Sequence, residues 1–267
     1  MKTVVITGSA RGFGFACAKE FRKNAFNIVL SDINAEKLQE SVKELKKIES
    51  PAKVVGVACD VTNANDIVKL IDATIKEFGS VDIFINNAGV NQPDKPICEL
   101  TSDEIKFLIN VDLIGTINGS RIAFAKMKEQ GFGQIYNIEG YGSNDAMMTG
   151  LTLYGTSKRA VTYFTQALAK ESKELTKGAV KVCRLTPGIM ITDFITNANG
   201  GKTKIELPEK TKKIYNILGD YPETIAKYLV PRMIKNKKNN NKLVWLSNRR
   251  AFAKFISFMF KKRNYFN

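Results

Sequence analysis

Tyr154 and Lys158 are the two residues whose types and spacing best suit acid–base chemistry. The surrounding pattern predicts a helix from about Leu153 to Ala169, so two side chains four positions apart would leave the same face one turn apart. A nearby ammonium stabilises a phenolate, and we expect Lys158 to lower the pKa of Tyr154 below its ordinary value of about 10. Such a tyrosine can donate a proton to a carbonyl oxygen or accept one from an alcohol.

Ser143 lies just upstream, in a glycine-rich loop that follows an apolar strand predicted over Gln134–Ile138. Its hydroxyl could orient the same substrate oxygen. A tyrosine and a lysine four residues apart also occur by chance on helices, so this interpretation depends on a hydride source elsewhere in the chain.

A glycine-rich turn near the start of the chain could bind the phosphates of a dinucleotide. The turn, Gly8-Ser-Ala-Arg-Gly-Phe-Gly14, follows a Val/Ile-rich strand predicted over Lys2–Thr7 and precedes helical spacing over Phe15–Asn24. Glycines let backbone N–H groups approach a pyrophosphate, and a helix N-terminus adds a favourable dipole. A purely structural turn is the alternative, but the order strand–turn–helix favours dinucleotide binding.

Asp32 bears on the choice between NAD(H) and NADP(H). It closes a strand predicted over Asn27–Ser31 and lies 18 residues after Gly14, near the spacing of about 20 expected for the acid that binds the adenosine ribose. A carboxylate there would repel a 2′-phosphate and favours NAD(H), whereas Arg11 could reach such a phosphate and keeps NADP(H) as an alternative. Asp32 could instead be the N-cap of a helix predicted over Ala35–Ile48.

Strands and helices alternate along the remaining chain. This alternation predicts an α/β fold, a Rossmann-type doubly wound parallel sheet in a single domain, with ligands at the carboxyl ends of the strands. Further strands are predicted over Val54–Cys59, Val81–Ile85, Gln134–Ile138, Val180–Leu185 and Lys242–Leu246, and further helices over Asp66–Phe78, Asp103–Lys128 and Tyr154–Leu175.

Composition argues against several classes of protein. The chain of 267 residues has no histidine, which excludes histidine-based triads and histidine metal sites, and we predict no metal site. Its four cysteines are scattered without a C-x-x-C pair, which indicates reduced thiols and a cytoplasmic setting. Residues 1–8 have the pattern of a strand and a glycine turn rather than a signal peptide, and no apolar run approaches the roughly 20 residues of a membrane span.

Positive charge is concentrated in the last quarter of the chain. The formal net charge is +15, and residues 202–267 hold 17 Lys/Arg against 4 Asp/Glu. No nucleic-acid motif accompanies this charge, and we predict no nucleic-acid partner. Arg249–Arg263 has the pattern of a basic amphipathic helix, so we divide the chain into a catalytic domain over 1–247 and an extension over 248–267. Its apolar stripe, Phe252, Phe255, Ile256 and Met259, could lie in an anionic membrane interface, or could pack on the domain or on a subunit partner.

With these motifs the chain resembles the short-chain dehydrogenase/reductase family along essentially its whole length. The resemblance rests on Thr7–Gly14, Asn86–Gly89, the pair Tyr154 and Lys158, and Pro187–Thr192. It implies an NAD(P)-dependent oxidoreductase with a substrate lid at about 194–220, and a homodimer or homotetramer formed through the helices around 103–128 and 154–175. The cofactor-binding residues that it implies are Gly8, Ser9, Arg11, Gly12, Phe13, Gly14, Asp32, Asp60, Val61, Asn87, Ala88, Gly89, Tyr154, Lys158, Pro187, Gly188, Ile189 and Thr192.

Two positions depart from the pattern of that family. Its catalytic serine would fall three residues after Asn137, at Gly140, and Ser143 is the next serine. Its helix-four asparagine would fall at Asp112, and we expect Asp112 or the neighbouring Asn110 to hold a relay water.

The segments Asn137–Ser143 and Tyr221–Met233 resemble those of chlorophyll(ide) b reductases, which reduce a formyl group to a hydroxymethyl group. Asp32 departs from those enzymes, which look NADPH-type at that position. The resemblance therefore supports an NAD(H)-linked relative, and we expect it to act on a bulky, largely apolar carbonyl or alcohol. Formyl reduction of that kind is one alternative. A catalytically silent dinucleotide-binding regulatory or scaffold protein is another, motivated by Gly140 and Asp112.

Overall fold

A seven-stranded, wholly parallel sheet organises the chain in the computed structural model, which describes residues 1–266. Most of its strands are rich in Val and Ile and are buried on both faces, as expected when helices cover a parallel sheet. In chain order the strands are β1 (Thr3–Thr7), β2 (Asn27–Asp32), β3 (Val54–Ala58), β4 (Ile83–Asn86), β5 (Gly133–Ile138), β6 (Val180–Thr186), the separate hairpin β7 (Asn197–Ala198) and β8 (Thr203–Lys204), and β9 (Lys242–Val244).

The strand order across the sheet is β3-β2-β1-β4-β5-β6-β9, so the direction of winding reverses between β1 and β4. Ligands of such sheets bind at the carboxyl ends of the strands beside this reversal. The predicted fold class, a doubly wound parallel sheet, is confirmed.

Helices cover both faces of the sheet. Helices α1, α2 and α9 pack on one face, and α3, α5 and α6 on the other, each with its own apolar core. The helices are α1 (Gly12–Lys23), α2 (Ala35–Lys46), α3 (Ala64–Phe78), α4 (Ser102–Ile109), α5 (Gly115–Gln130), α6 (Thr152–Thr176), α7 (Asp193–Thr196), α8 (Glu209–Leu218), α9 (Pro222–Lys235) and α10 (Asn248–Phe260).

The single helix predicted over Asp103–Lys128 is wrong in one respect. A π-helical turn, Asn110–Ile114, separates α4 from α5. Such turns insert one extra residue into a helix and are frequent at functional sites. Here the turn carries Asp112, which is fully buried, whereas Asn110 is exposed.

Helix α9 was not predicted, although it completes one of the two cores. Ile225, Leu229 and Met233 recur at helical spacing and pack among the residues of α1. Pro231 inside the helix argues against a helix in the sequence. Pro222 at the first turn is the opposite signal, because the missing N–H there has no partner to lose.

Helix α10 confirms the predicted C-terminal helix but not the packing of its apolar stripe on the domain. Phe252, Phe255, Ile256 and Met259 are all exposed. Asn267, the last residue of the predicted extension, lies outside the described residues. Among residues 1–266, no helix is both long and apolar enough to cross a membrane.

Candidate active site

The start of α6 brings Tyr154 and Lys158 to the carboxyl edge of the sheet. Both side chains are buried. The backbone N–H of Tyr154 lies in the first turn of the helix, where it has no partner within the helix, and it donates to Gln92 Oε1 at 2.9 Å. The ring of Tyr154 packs edge-on against Phe194, with 6.1 Å between centroids. Gln92 was not singled out in the sequence, which offers no local signal for it.

Asp112 reaches Lys158 from the π-helical turn. Its carboxylate lies 2.7 Å from Lys158 Nζ, and its second oxygen accepts the Val90 N–H at 2.7 Å. Gly89 packs against this pair, because a Cβ at that position would lie 3.4 Å from the carboxylate and 3.6 Å from the ammonium. Asp112, one of the two residues expected to hold a relay water, is therefore an ion-pair partner of Lys158.

Lys158 lowers the pKa of Tyr154 as expected, but the expectation that the pKa falls below its ordinary value of about 10 is wrong for this structure. Burial of the phenol raises the pKa of Tyr154 to about 12, and the Asp112 carboxylate also raises it, whereas Lys158 acts in the opposite direction. The carboxylate 2.7 Å from Lys158 offsets the positive charge that would stabilise a phenolate. Burial also disfavours the charge of Lys158, but Asp112 and Tyr154 keep the pKa of the ammonium above its ordinary value.

The loop after β5 places Gly140 rather than a serine beside the phenol. A Cβ at Gly140 would overlap the Tyr154 hydroxyl and lie 3.1 Å from Lys158 Cγ. The Ser143 hydroxyl accepts the Gly140 N–H at 3.1 Å and donates to the Lys158 carbonyl at 3.3 Å. In this arrangement Ser143 joins the loop to α6 through backbone groups.

The glycine-rich turn is held in shape by the motif at the end of β4. Asn87 Nδ2 donates to the Gly8 carbonyl at 2.8 Å, and a Cβ at Gly14 would lie 2.6 Å from that nitrogen. Gly8 has φ +59°, and a Cβ there would lie 2.6 Å from Ala88 Cα. Gly12, in contrast, has only the Thr192 methyl near its Cβ position, at 3.9 Å. Helix α1 begins at Gly12, so its N-terminal N–H groups fit a pyrophosphate.

Asp32 belongs to this turn and does not cap α2. Its carboxylate accepts the N–H groups of Ala10 and Asn34, each at 3.1 Å. Asn34 is the N-cap, accepting the Lys37 N–H at 2.8 Å, so the alternative interpretation of Asp32 as the cap is wrong. Arg11 lies 3.6 Å from Asp193 with both side chains exposed, an arrangement that contributes little stability.

Asp60 and Val61 shape the turn after β3. The Asp60 carboxylate accepts the N–H and the hydroxyl of Thr62, at 2.9 and 2.8 Å. Val61 is buried against Gly115, where a Cβ would lie 2.6 Å from the valine methyl. Both residues thus lie at the same edge of the sheet as the glycine-rich turn.

Residues 187–192, which we call the strap, cross towards the glycine-rich turn from the end of β6. The Ile189 carbonyl accepts the Asp220 N–H at 3.1 Å, and the Ile191 N–H donates to the Asp220 carbonyl at 3.0 Å. Gly188 has φ +76° and packs against Leu246, with 2.7 Å from a Cβ position to Leu246 Cβ. Thr192 faces Gly12, so the strap lies beside the glycine-rich turn.

Two buried acids support the site and were not identified as functional. Asp220 accepts the Trp245 indole N–H at 2.7 Å and pairs with Lys254 at 2.5 Å and Arg263 at 3.2 Å. Glu139 accepts hydroxyls from Thr162 and Thr186 and pairs with Lys242 at 2.9 Å. The sequence offers no local signal for Asp220, and for Glu139 only its position directly after an apolar strand.

A buried amide network fixes the middle of the sheet beneath the site. Asn86 Nδ2 donates to Asn137 Oδ1 at 2.8 Å and to the Ser120 hydroxyl at 3.0 Å. Asn137 Nδ2 in turn donates to the Thr165 hydroxyl at 2.9 Å. Strands β4 and β5 are thereby joined to α5 and α6. Helix α6 carries Tyr154 and Lys158, and α5 follows directly on the turn that carries Asp112.

Comparison with known proteins agrees with the family resemblance seen in the sequence. The family model described as short chain dehydrogenase matches residues 2–203. The probable chloroplastic chlorophyll(ide) b reductase of Arabidopsis thaliana is 32% identical over an alignment covering all of this chain and 55% of the relative. The chloroplastic chlorophyll(ide) b reductase of Oryza sativa is 34% identical over 86% of this chain and 66% of the relative. The chain thus spans between half and two thirds of the length of these curated relatives.

A solved structure agrees over nearly the whole fold. An alcohol dehydrogenase from the archaeon Thermococcus sibiricus, complexed with 5-hydroxy-NADP, superposes with a TM-score of 0.75 and 25% identity. The match covers 93% of this chain and 97% of that one.

Proposed function

This chain belongs to the short-chain dehydrogenase family, a family of oxidoreductases that bind nicotinamide dinucleotides, and we propose that it is an NAD(H)-dependent enzyme that interconverts a carbonyl and an alcohol on a bulky, largely apolar substrate. The observation that carries the proposal is the buried group of Tyr154, Lys158 and Asp112 at the edge of the sheet where the strap lies beside the glycine-rich turn.

The chemistry follows from these side chains. A bound nicotinamide supplies or takes the hydride. Tyr154 Oη donates a proton to the carbonyl oxygen of the substrate, and its pKa of about 12 keeps the phenol protonated at neutral pH, which suits reduction. Lys158 stabilises the phenolate that remains, and the Asp112 carboxylate holds the Lys158 ammonium through an ion pair. Ser143 is the proposed contact for the substrate oxygen and would have to exchange its bond to the Lys158 carbonyl for that role.

Two features support the cofactor and the substrate class. Asp32 is placed at the end of β2 with its carboxylate on the glycine-rich turn, which disfavours a 2′-phosphate and supports NAD(H). Tyr141, Met147 and Met148 are exposed on the loop that leads to Tyr154, and Phe194 packs on its ring. These apolar side chains on the loop before Tyr154 support a bulky, apolar substrate.

The test is the substitution Tyr154→Phe, measured as NADH oxidation with a panel of aldehydes and ketones. We expect turnover to fall by at least about 100-fold, because the proton donor is removed, while NADH binding stays within about twofold. Tyr163→Phe is the matched control, since Tyr163 is an exposed tyrosine on the same helix. Retained turnover in Tyr154→Phe would refute the assignment.

Formyl reduction on a chlorophyll b-type tetrapyrrole is the second candidate, favoured by the names of the two plant relatives. Including chlorophyllide b in the panel, with chromatography of the hydroxymethyl product, separates the two candidates. Dinucleotide binding without turnover on any member of the panel would favour the silent scaffold protein instead.

A further inference from the structure

Helix α10 presents its apolar residues outward. Phe252, Phe255, Ile256 and Met259 follow one another at three- and four-residue spacing and so share one face, which we call the outer face. Phe252 is 68% exposed and Met259 75%. A helix at the surface of a soluble domain ordinarily turns such a face towards the core.

Cationic side chains on the opposite side of the helix, and just beyond its end, bind the domain. Lys254 Nζ lies 2.5 Å from the buried Asp220 carboxylate, and Arg263 beyond the helix reaches the same carboxylate at 3.2 Å. The Arg250 guanidinium stacks on Trp245 at 3.8 Å from the ring centroid. These bonds fix the rotation of α10, because turning the outer face inward would leave Asp220 buried without its cations.

Positive charge flanks the outer face at both ends of the helix. Residues 248–266 contain six Lys/Arg and no Asp or Glu. Within the part of the chain that the structure describes, Arg249, Lys261 and Lys262 take part in no ion pair. These positive charges would repel one another if two copies of this face met. They are complementary to the negative charge of lipid phosphates.

We propose that the outer face of α10 docks on an anionic lipid bilayer. The aromatic and methionine side chains enter the boundary between headgroups and acyl chains, and Arg249, Lys261 and Lys262 lie at the level of the phosphates. The proposal does not depend on the identity of the substrate or on turnover.

The test is co-sedimentation of the full chain with vesicles of phosphatidylcholine alone and of phosphatidylcholine with 30% phosphatidylglycerol. We expect binding to the anionic vesicles only, with a fall in binding at high salt. The double substitution Lys261→Glu and Lys262→Glu should weaken binding by at least about 25-fold, since each basic residue near such a surface contributes about fivefold. Phe255→Ser with Met259→Ser should weaken it by at least about tenfold, because the apolar anchor is lost.

The matched control is Lys43→Glu with Lys46→Glu, which makes the same change in net charge on the exposed face of α2. Circular dichroism and thermal melting establish that every variant is folded. Equal binding to both vesicle types, no binding to either, or an equal loss in the α2 control would overturn the proposal. So would sedimentation velocity showing that Phe255→Ser with Met259→Ser dissociates an oligomer while vesicle binding persists, because a second copy would then occupy the face.

Discussion

Asp112 adds to the effect of burial on the acid–base group of this chain. The carboxylate is fully buried and 2.7 Å from Lys158, at the position where the family pattern has an asparagine. Its negative charge raises the pKa of Tyr154 and compensates the lysine. Carbonyl reduction uses the protonated phenol and should be independent of pH through the neutral range. Alcohol oxidation uses the phenolate and should rise with pH.

Asp112→Asn should therefore shift the pH profile of alcohol oxidation to lower pH by about one pH unit or more, because removing a nearby negative charge favours the phenolate. Steady-state rates between pH 6 and 11 measure the shift, and thermal melting monitors the fold. Asp60→Asn, an acid at the same edge of the sheet, should leave the profile in place. An unchanged profile in a folded Asp112→Asn variant would contradict this role.

At the scale of residues, the sequence predicted that Tyr154 and Lys158 share one helix face and that Lys158 lowers the pKa of Tyr154, but not that burial outweighs this effect. The four-residue spacing of Tyr154 and Lys158 is a local property, and the helix follows it. Burial and the approach of Asp112, 46 positions before Lys158, are tertiary effects that no spacing encodes. The bond between Gln92 and the Tyr154 N–H was missed for the same reason.

The strap is the element whose position depends most on distant parts of the chain. Its backbone pairs with Asp220, and the Asp220 carboxylate is held by Trp245, Lys254 and Arg263. The C-terminal segment thus supports the strap from behind through one buried acid. Asp220 is a positioning residue in this scheme, since it acts on the cofactor site through the strap.

Asp220→Asn should raise the KM for NADH by about three- to tenfold with a smaller change in kcat, because the ion pairs weaken while the backbone pairing stays. Initial rates with NADH as the varied substrate measure the split. Glu223→Gln, an exposed acid at the start of α9, serves as the control. A fall in kcat and kcat/KM by the same factor would argue against a positioning role.

At the scale of elements, apolar runs were good predictors where packing was regular. The central strands and α2, α3 and α6 lie within a few residues of their predicted bounds. The break at the π-helical turn within Asp103–Lys128 was not predicted, because a single inserted residue leaves no signal in composition. Helix α9 was hidden by Pro231, whose cost is offset by the burial of its neighbours in the core.

For the whole molecule, the glycine-rich turn and the alternation of strands and helices predicted the edge of the sheet at which the site lies, because parallel strands end at one edge. The arrangement of the lid region and of α10 could not be predicted, because polar contacts between distant segments fix it. Asn216 accepts the Tyr265 N–H at 2.8 Å, and Arg263 donates to the Ile217 carbonyl at 2.8 Å. Neither pair leaves a periodic trace in the sequence.

Cofactor binding should stabilise the entire domain, because the expected cofactor contacts come from both the turn and the strap, which lie side by side. A ligand at 100 times its dissociation constant adds about 2.7 kcal/mol to the free energy of unfolding. For a chain of this size we expect a rise in Tm of about 5–10 °C with NADH and a much smaller one with NADPH. Parallel thermal-shift titrations check this, and Asp32→Ala should reduce the difference between them. A larger shift with NADPH would mean that Arg11 outweighs Asp32.

The fit of Gly140 against Tyr154 has an evolutionary consequence. A side chain at position 140 would overlap the phenol hydroxyl, while the Ser143 hydroxyl already bonds the Gly140 N–H. The two loop positions are thus coupled: we expect a serine at 140 to displace the tyrosine, and the loss of Ser143 to release the loop. A change from this loop to the common serine pattern would therefore require substitutions at both positions.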